Sequence, residues 1–454
     1  MNGDDGAPSF TPVPTAPGAL PALGHGLHLA RDPLAFLSSL PAHGDVVWVG
    51  LGPHRVLMVC DPVLTRQVLL DSRTFDKGGP FFDRIGEVVG NGVGTCPAGE
   101  HPRLRRRCQP SFHPGRMPAY AEVMAASAAE ATAAWSSGEV IDVGRQTDLL
   151  ATHTLVRAMF SAASDERLHE EAIEDVTVVL RGILRRTFLP EALNRVPLPA
   201  NRRYERAMAR LRERVSGIVA ARRADPADHA DLLSALLTAD GPDQPQAGPP
   251  LTGQEVADQV MTFFIAGTRT TAATLAWAMY ALATHPQEQT RVQEEADQAL
   301  AGRAAGLAPL TALAATERVI TETLRLYSPG WLMTRLATRD TVIGHAPVPA
   351  GTMVAVSPWI IHHRPDLHPR PEHFDPARWA APPVRGAFLP FGAGARKCIG
   401  DRFALTQVSV ALTHIASRWH LAPAGRPPQV VPGAALFPRG MRLRVHARHT
   451  VPRG

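Results

Sequence analysis

Ten residues near the C-terminus constrain this chain most: Phe391-Gly-Ala-Gly-Ala-Arg-Lys-Cys398-Ile-Gly400. Small residues let the backbone come up against a bulky group. A strongly apolar, helix-like run follows, so Cys398 stands just ahead of a helix N-terminus. Backbone N–H groups and the helix dipole stabilise a thiolate there. Arg396 adds a cation beside it. The competing reading of an isolated cysteine is a buried thiol in a glycine-rich turn. Here Phe391, Gly394, Arg396, Cys398 and Gly400 coincide at fixed offsets, which this composition produces by chance about once in ten thousand. The loop reads as the cradle of a thiolate ligand.

At 454 residues the chain can bury a large core around a cofactor, and 45% hydrophobic with 20% charged residues is ordinary for a globular protein. The net charge of +5 is carried mostly by Arg. Without aromatic-interleaved basic stretches it suggests an acidic protein partner and no nucleic acid. Cys60, Cys96, Cys108 and Cys398 show no CxxC spacing, which argues against a disulfide scaffold or zinc site and fits a reducing cytoplasm. No stretch approaches the ~18–20 apolar residues of a membrane span.

Residues 1–20 are rich in Pro, Gly and Ala and read as a flexible arm. Val46–Val49 and Arg55–Cys60, split by Gly50–Pro53, read as a hairpin. Residues 115–240 carry helical periodicity, with Arg202–Arg223 as a solvated helix face. Residues 239–250 read as a linker. Thr252-Gly-Gln-Glu255 is a capping box opening a helix of roughly 30 residues, which His285-Pro286 stops. Thr341–Val348 and Thr352–Ser357, split by Pro349-Ala-Gly351, form a second β-type region, and Arg442–Val445 a last strand.

Further motifs lie along this frame. Glu322-Thr-Leu-Arg325 puts a carboxylate and a guanidinium on one helix face. Pro371-Glu-His-Phe-Asp-Pro-Ala-Arg378-Trp379 lies downstream. His101 and Arg105 share a face at i,i+4, and Arg335 follows Trp331-Leu-Met-Thr. In the long helix, Phe263, Ala266, Thr270 and Thr274 can share one face, and Gly267 costs about 1 kcal/mol against Ala.

With the Cys398 loop, these ordered motifs resemble the cytochrome P450 family from about residue 20 to 447. The resemblance implies a mainly α protein with minor β, a helical prism with a small β-rich region. It would be a single domain over 21–454, with heme b between the long helix and the helix after Cys398. Cys398 becomes the axial ligand, and Phe391 and Gly400 shape its loop. His101, Arg105, Arg335 and Arg396 bind heme propionates, while Ala266 and Gly267 form the oxygen groove. Glu322, Arg325 and Arg378 become a structural clamp, and Thr270 the oxygen-activating residue. Where the family places an acid before that Thr, this chain has Arg269. An Arg keeps its proton at neutral pH, so the expected role is flanking, paired with an acid away from the heme.

The implied activity is insertion of one oxygen atom from O2 into a hydrophobic small molecule of secondary metabolism, terpenoid-like or aliphatic. Electrons would come from an acidic ferredoxin and its reductase, docking on Arg103, Arg106, Arg107, Lys397 and Arg402. Expected pocket residues are Phe81, Phe82, Val93, Phe263, Trp331, Leu332, Met333, Leu436 and Phe437. Two alternatives remain: a peroxide-driven peroxygenase in which Arg269 binds a substrate carboxylate, and a non-catalytic heme protein.

Overall fold

The computed structural model describes residues 12–448 except 53, 162–165, 189–190, 226, 228, 239–248 and 301–312. Residues 1–11 of the expected arm, and all of the expected linker except residues 249–250, lie outside the described residues. The chain is mainly helical with small sheets and forms two compact units.

One unit takes the described residues of Met1–Gly79, Trp331–Glu372 and Pro383–Lys397. It is built on a five-stranded sheet of β1 (Val46–Leu51), β2 (His54–Val59), β3 (Phe75–Asp76), β4 (Met333–Ala337) and β5 (Met353–Val356), in the order β1-β2-β5-β4-β3. The expected hairpin is there, antiparallel from Val46 opposite Val59 to Leu51 opposite His54. Gly52 turns the chain at φ +58°. The second β-type region divides differently. Thr341–Ile343 pairs with Ala346–Val348, whereas β5 pairs parallel to β2 and antiparallel to β4. Strand β4 is absent from the sequence reading because its partners are distant in sequence.

The arm is tied down from Pro14 onward. The Ala16 and Trp48 amides donate to the Trp48 and Pro14 carbonyls, at 2.9 and 2.8 Å. Buried His25 accepts from the Gly50 amide through Nδ1, so its Nε2 carries the proton towards the Ala16 carbonyl, both at 2.9 Å. Flexibility expected up to residue 20 gives way to these contacts.

The other unit takes the described residues of Pro80–Gly330, His373–Pro382 and Cys398–Gly454. Its helices include α1 (Pro80–Val89), α2 (His101–Cys108), α3 (Val143–Phe160), α4 (Gly253–Thr284), α5 (Ala314–Leu326) and α6 (Asp401–Arg418). Strands Val140–Asp142, Trp419–Pro423 and Arg442–Ala447 form one small sheet, and Gln429–Val431 pairs with Phe437–Arg439. The helix Pro199–Ala224 buries Tyr204, Ala207, Leu211, Val215 and Val219 and turns most of its arginines outward, as its charge pattern predicts, but Arg222 turns inward to buried Asp231 and to the Phe160 carbonyl.

Helix α4 organises this unit. Thr252 accepts from the Glu255 amide, and Glu255 accepts from the Thr252 amide in return, at 3.2 and 2.8 Å. At 32 residues it runs about 48 Å, buried along most of its length. Gly267 is where α3 crosses it: a Cβ there would stand 2.9 Å from Leu155 Cδ2. A residue larger than glycine there would have to displace the Leu155 side chain, so helix packing favours the small residue expected in an oxygen groove. Gly267→Val should cost about 1–3 kcal/mol by overpacking. Adding Leu155→Ala should recover part of that loss in urea unfolding.

Candidate active site

In the Cys398 loop, Gly392 and Gly394 adopt φ +69° and +71°. A Cβ on Gly394 would meet the Leu69 carbonyl at 2.4 Å, so no other residue fits. Phe391 is half-buried. Gly400, at φ −95°, is the N-cap of α6 and needs no glycine-only conformation. Cys398 is exposed just ahead of that helix, whereas Cys60, Cys96 and Cys108 are buried. Burial pushes the Cys60 thiol up to about 12 and raises that of Cys108 further. Those two stay protonated and Cys96 is fully buried, which leaves Cys398 as the exposed cysteine suited to act as a thiolate.

In the same unit as β4, Arg396 is buried and donates to Asp76 Oδ1 at 2.6 Å. Arg335 is buried too and donates from Nη1 to the Thr334 carbonyl at 2.8 Å. Burial first, then repulsion from Arg396, pushes the Arg335 guanidinium down to about 10, although Asp76 pulls the other way. The Arg335 site is thus short of negative charge, and an anion such as a carboxylate-bearing cofactor would relieve it.

On α2, His101 is buried and Arg105 half-buried. The expected basic docking set changes here. Arg107 is only 3% exposed, and Arg103 pairs with Glu255 of the α4 capping box. Burial opposes ionisation of Glu255, yet hydrogen bonds from Thr252 and Arg103 hold its carboxyl below the ordinary value. Arg106, Lys397 and Arg402 remain exposed.

Glu322 and Arg325 are fully buried on α5. Arg325 grips the carboxylate with Nε and Nη2 at 2.9 and 2.8 Å, and Arg378 Nε donates to Oε1 at 3.0 Å. The Trp379 indole and the Asp375 amide add bonds of 2.8 and 3.0 Å, donors that the motif did not reveal. Because five N–H donors converge on it, Glu322→Gln should destabilise the fold by about 3–5 kcal/mol, read by chemical denaturation.

On α4, Ala266 is exposed although Phe263, Phe264, Ile265 and Thr268 around it are buried. The Thr270 hydroxyl donates to the Ala266 carbonyl at 2.7 Å, and the Thr274 hydroxyl to the Thr270 carbonyl at 3.0 Å. An open helix face with a positioned hydroxyl results. Arg269 turns aside, as its flank position predicts. It pairs with Asp148 of α3, and its Cζ lies 3.5 Å from the centroid of the Phe437 ring. Burial pushes the Asp148 carboxyl up to about 6, against the pull of Arg269. No signal near Asp148 marked it, because its partner is 121 residues away.

Several expected pocket residues are packed against neighbouring groups. Val93, Phe263 and Leu436 are 6%, 7% and 0% exposed. The Val93 amide donates to Gln259 Oε1 at 2.7 Å, and Phe263 packs edge-on against Phe112 at 5.0 Å. The Leu436 carbonyl accepts from Trp277 at 3.0 Å. The Phe437 ring is covered by Arg269 and approached by Gly144. Phe81 and Phe82 on α1 meet edge to face at 5.9 Å and are half-buried, as are Trp331, Leu332 and Met333 in the other unit.

An accessible cysteine ahead of a helix and an open helix face with a positioned hydroxyl lie in one unit, and an anion-seeking buried arginine in the other. The cytochrome P450 family model matches residues 14–442, and the chain belongs to that family, whose members bind heme through a cysteine thiolate. It is a P450 monooxygenase. It is 44% identical to a cyclooctat-9-en-7-ol 5-monooxygenase of Streptomyces melanosporofaciens, covering 93% of this chain and 91% of the relative. It is 40% identical to a cyclooctatin synthase of the same organism, over 93% and 92%. A pentalenene oxygenase of Streptomyces avermitilis is 39% identical over 96% and 97%. Among the described residues, no helix is long and apolar enough to cross a membrane.

Proposed function

We propose that this protein oxidises a neutral, hydrophobic terpenoid, with electrons from an acidic ferredoxin and its reductase in the cytoplasm. The observation that carries this reading is the open face at Ala266 with the Thr270 hydroxyl held at its carbonyl. Relatives named for cyclooctat-9-en-7-ol and pentalenene support the substrate class.

Heme, when bound, supplies the activation of O2. Cys398 would hold the heme through its sulfur, and the dipole of α6 would stabilise the negative charge there. Arg335, Arg396, His101 and Arg105 are the partners proposed for the propionates, and the lowered Arg335 guanidinium supports an anion there. Thr270 holds a proton at Oγ1 and can pass it on by rotating away from the Ala266 carbonyl. Arg269, paired with Asp148, leaves that task to the hydroxyl. Exposed Arg106 and Arg402 on one unit and Lys397 on the other are the cations proposed for an acidic electron donor.

The test is turnover of a panel of neutral cyclic terpenes with a surrogate ferredoxin and reductase. A mono-oxygenated product is expected. Thr270→Ala should keep terpene binding within about threefold while diverting most reductant to hydrogen peroxide. No product from any terpene, with efficient peroxide-driven oxidation of fatty acids, would contradict the proposal.

A further inference from the structure

Arg269 stands one residue before Thr270, about 100° round the helix from it. Its side chain is 26% exposed, so it is neither sealed in the core nor fully solvated. A guanidinium in that setting is a ready seat for a carboxylate, which it grips with two parallel N–H donors. Here the seat is already taken. Asp148 comes across from α3, itself 20% exposed, and pairs with Arg269 Nη1, while the Phe437 ring lies under the guanidinium at 3.5 Å. Ring and carboxylate hold the cation from two sides. A Cβ at Gly144, one turn before Asp148, would come within 3.1 Å of the Phe437 ring, so α3 lies close against the same ring.

Neutralising Arg269 changes which molecules can be held beside Thr270. An uncompensated cation in a partly dehydrated setting would draw anionic ends of amphiphiles, because desolvated charge pairs are strong where water screens them little. With Asp148 in place, a substrate carboxylate gains no cation and meets a like charge. We propose that Asp148 is a specificity-determining residue: by occupying the guanidinium of Arg269 it excludes carboxylate-bearing substrates and reserves the site for neutral hydrophobic ones. This rests on the reading that the Ala266–Thr270 face is where substrate reacts. Burial raises the Asp148 carboxyl to about 6, so it is still mostly ionised near neutral pH.

The test is isothermal titration calorimetry on the full-length, heme-loaded protein near neutral pH, with two probes of equal chain length, dodecanoate and dodecan-1-ol. The wild type should bind dodecanol about tenfold more tightly than dodecanoate, one decade of Kd. Asp148→Asn, which keeps the shape and an acceptor oxygen, should bring the two within about threefold of each other. Adding Arg269→Gln to that variant should restore the preference for dodecanol. A wild type that binds both probes equally overturns the proposal whether or not the variant folds. Asp148→Asn with the wild-type ratio overturns it as well. A wild type that binds neither dodecanol nor any neutral cyclic terpene fails earlier, at the assignment of the reacting face, and takes this inference with it.

Discussion

The crossing of α3 over α4 at Gly267 governs what α4 can present. A side chain at Gly267 would have to displace Leu155, and on the same pair of helices Asp148 reaches Arg269. With Arg269 drawn towards α3, the helical turn around it offers Thr270 and the open surface of Ala266 instead of a charge. Helix α4 itself is started by a capping box whose Glu255 is also paired with Arg103 of α2, so one carboxylate serves both the helix start and a neighbouring helix. Packing, capping and charge placement along one helix therefore act on a single surface.

Charge is handled differently at three places. Around Glu322 five donors converge and the Glu322–Arg325 pair is dry, an arrangement that fixes local geometry because removing Glu322 strands the buried charge of Arg325. At Arg335 the balance is left positive, and its guanidinium is held below its ordinary value, the signature of a site that favours an anion. At Arg269 the cation is matched by Asp148 in a setting dry enough to raise that carboxyl. The first arrangement suits a structural clamp, the second a ligand site and the third a neutral wall.

What was legible in the sequence was local or carried by motifs. The capping box, the β1–β2 hairpin and the long helix follow from neighbouring residues. Glu322, Arg325 and Arg378 were named together because two motifs carry them, and the structure brings them together. Arg269 was expected to turn aside on helical geometry alone, but Asp148 could not be named, since nothing local links residues so distant in sequence. Three of the nine expected pocket residues are packed against neighbours. Val93, Phe263 and Leu436 are apolar in segments of the right kind, and periodicity cannot tell a side chain facing an open surface from one facing the next helix. Arg107 was misread for a related reason: a run of arginines looks solvated until one is found on the inner face.

The central claim is that Cys398, alone among the four cysteines, is a thiolate ligand. The most direct measurement is the absorption spectrum of the reduced, carbon-monoxide-bound protein, recorded for the wild type and for Cys→Ala variants at positions 60, 96, 108 and 398. The account predicts the strongly red-shifted Soret band of thiolate ligation in the wild type and in Cys60→Ala, Cys96→Ala and Cys108→Ala, and its loss in Cys398→Ala. A band that survives Cys398→Ala, or that disappears with one of the buried cysteines in a protein that still binds heme, would contradict it.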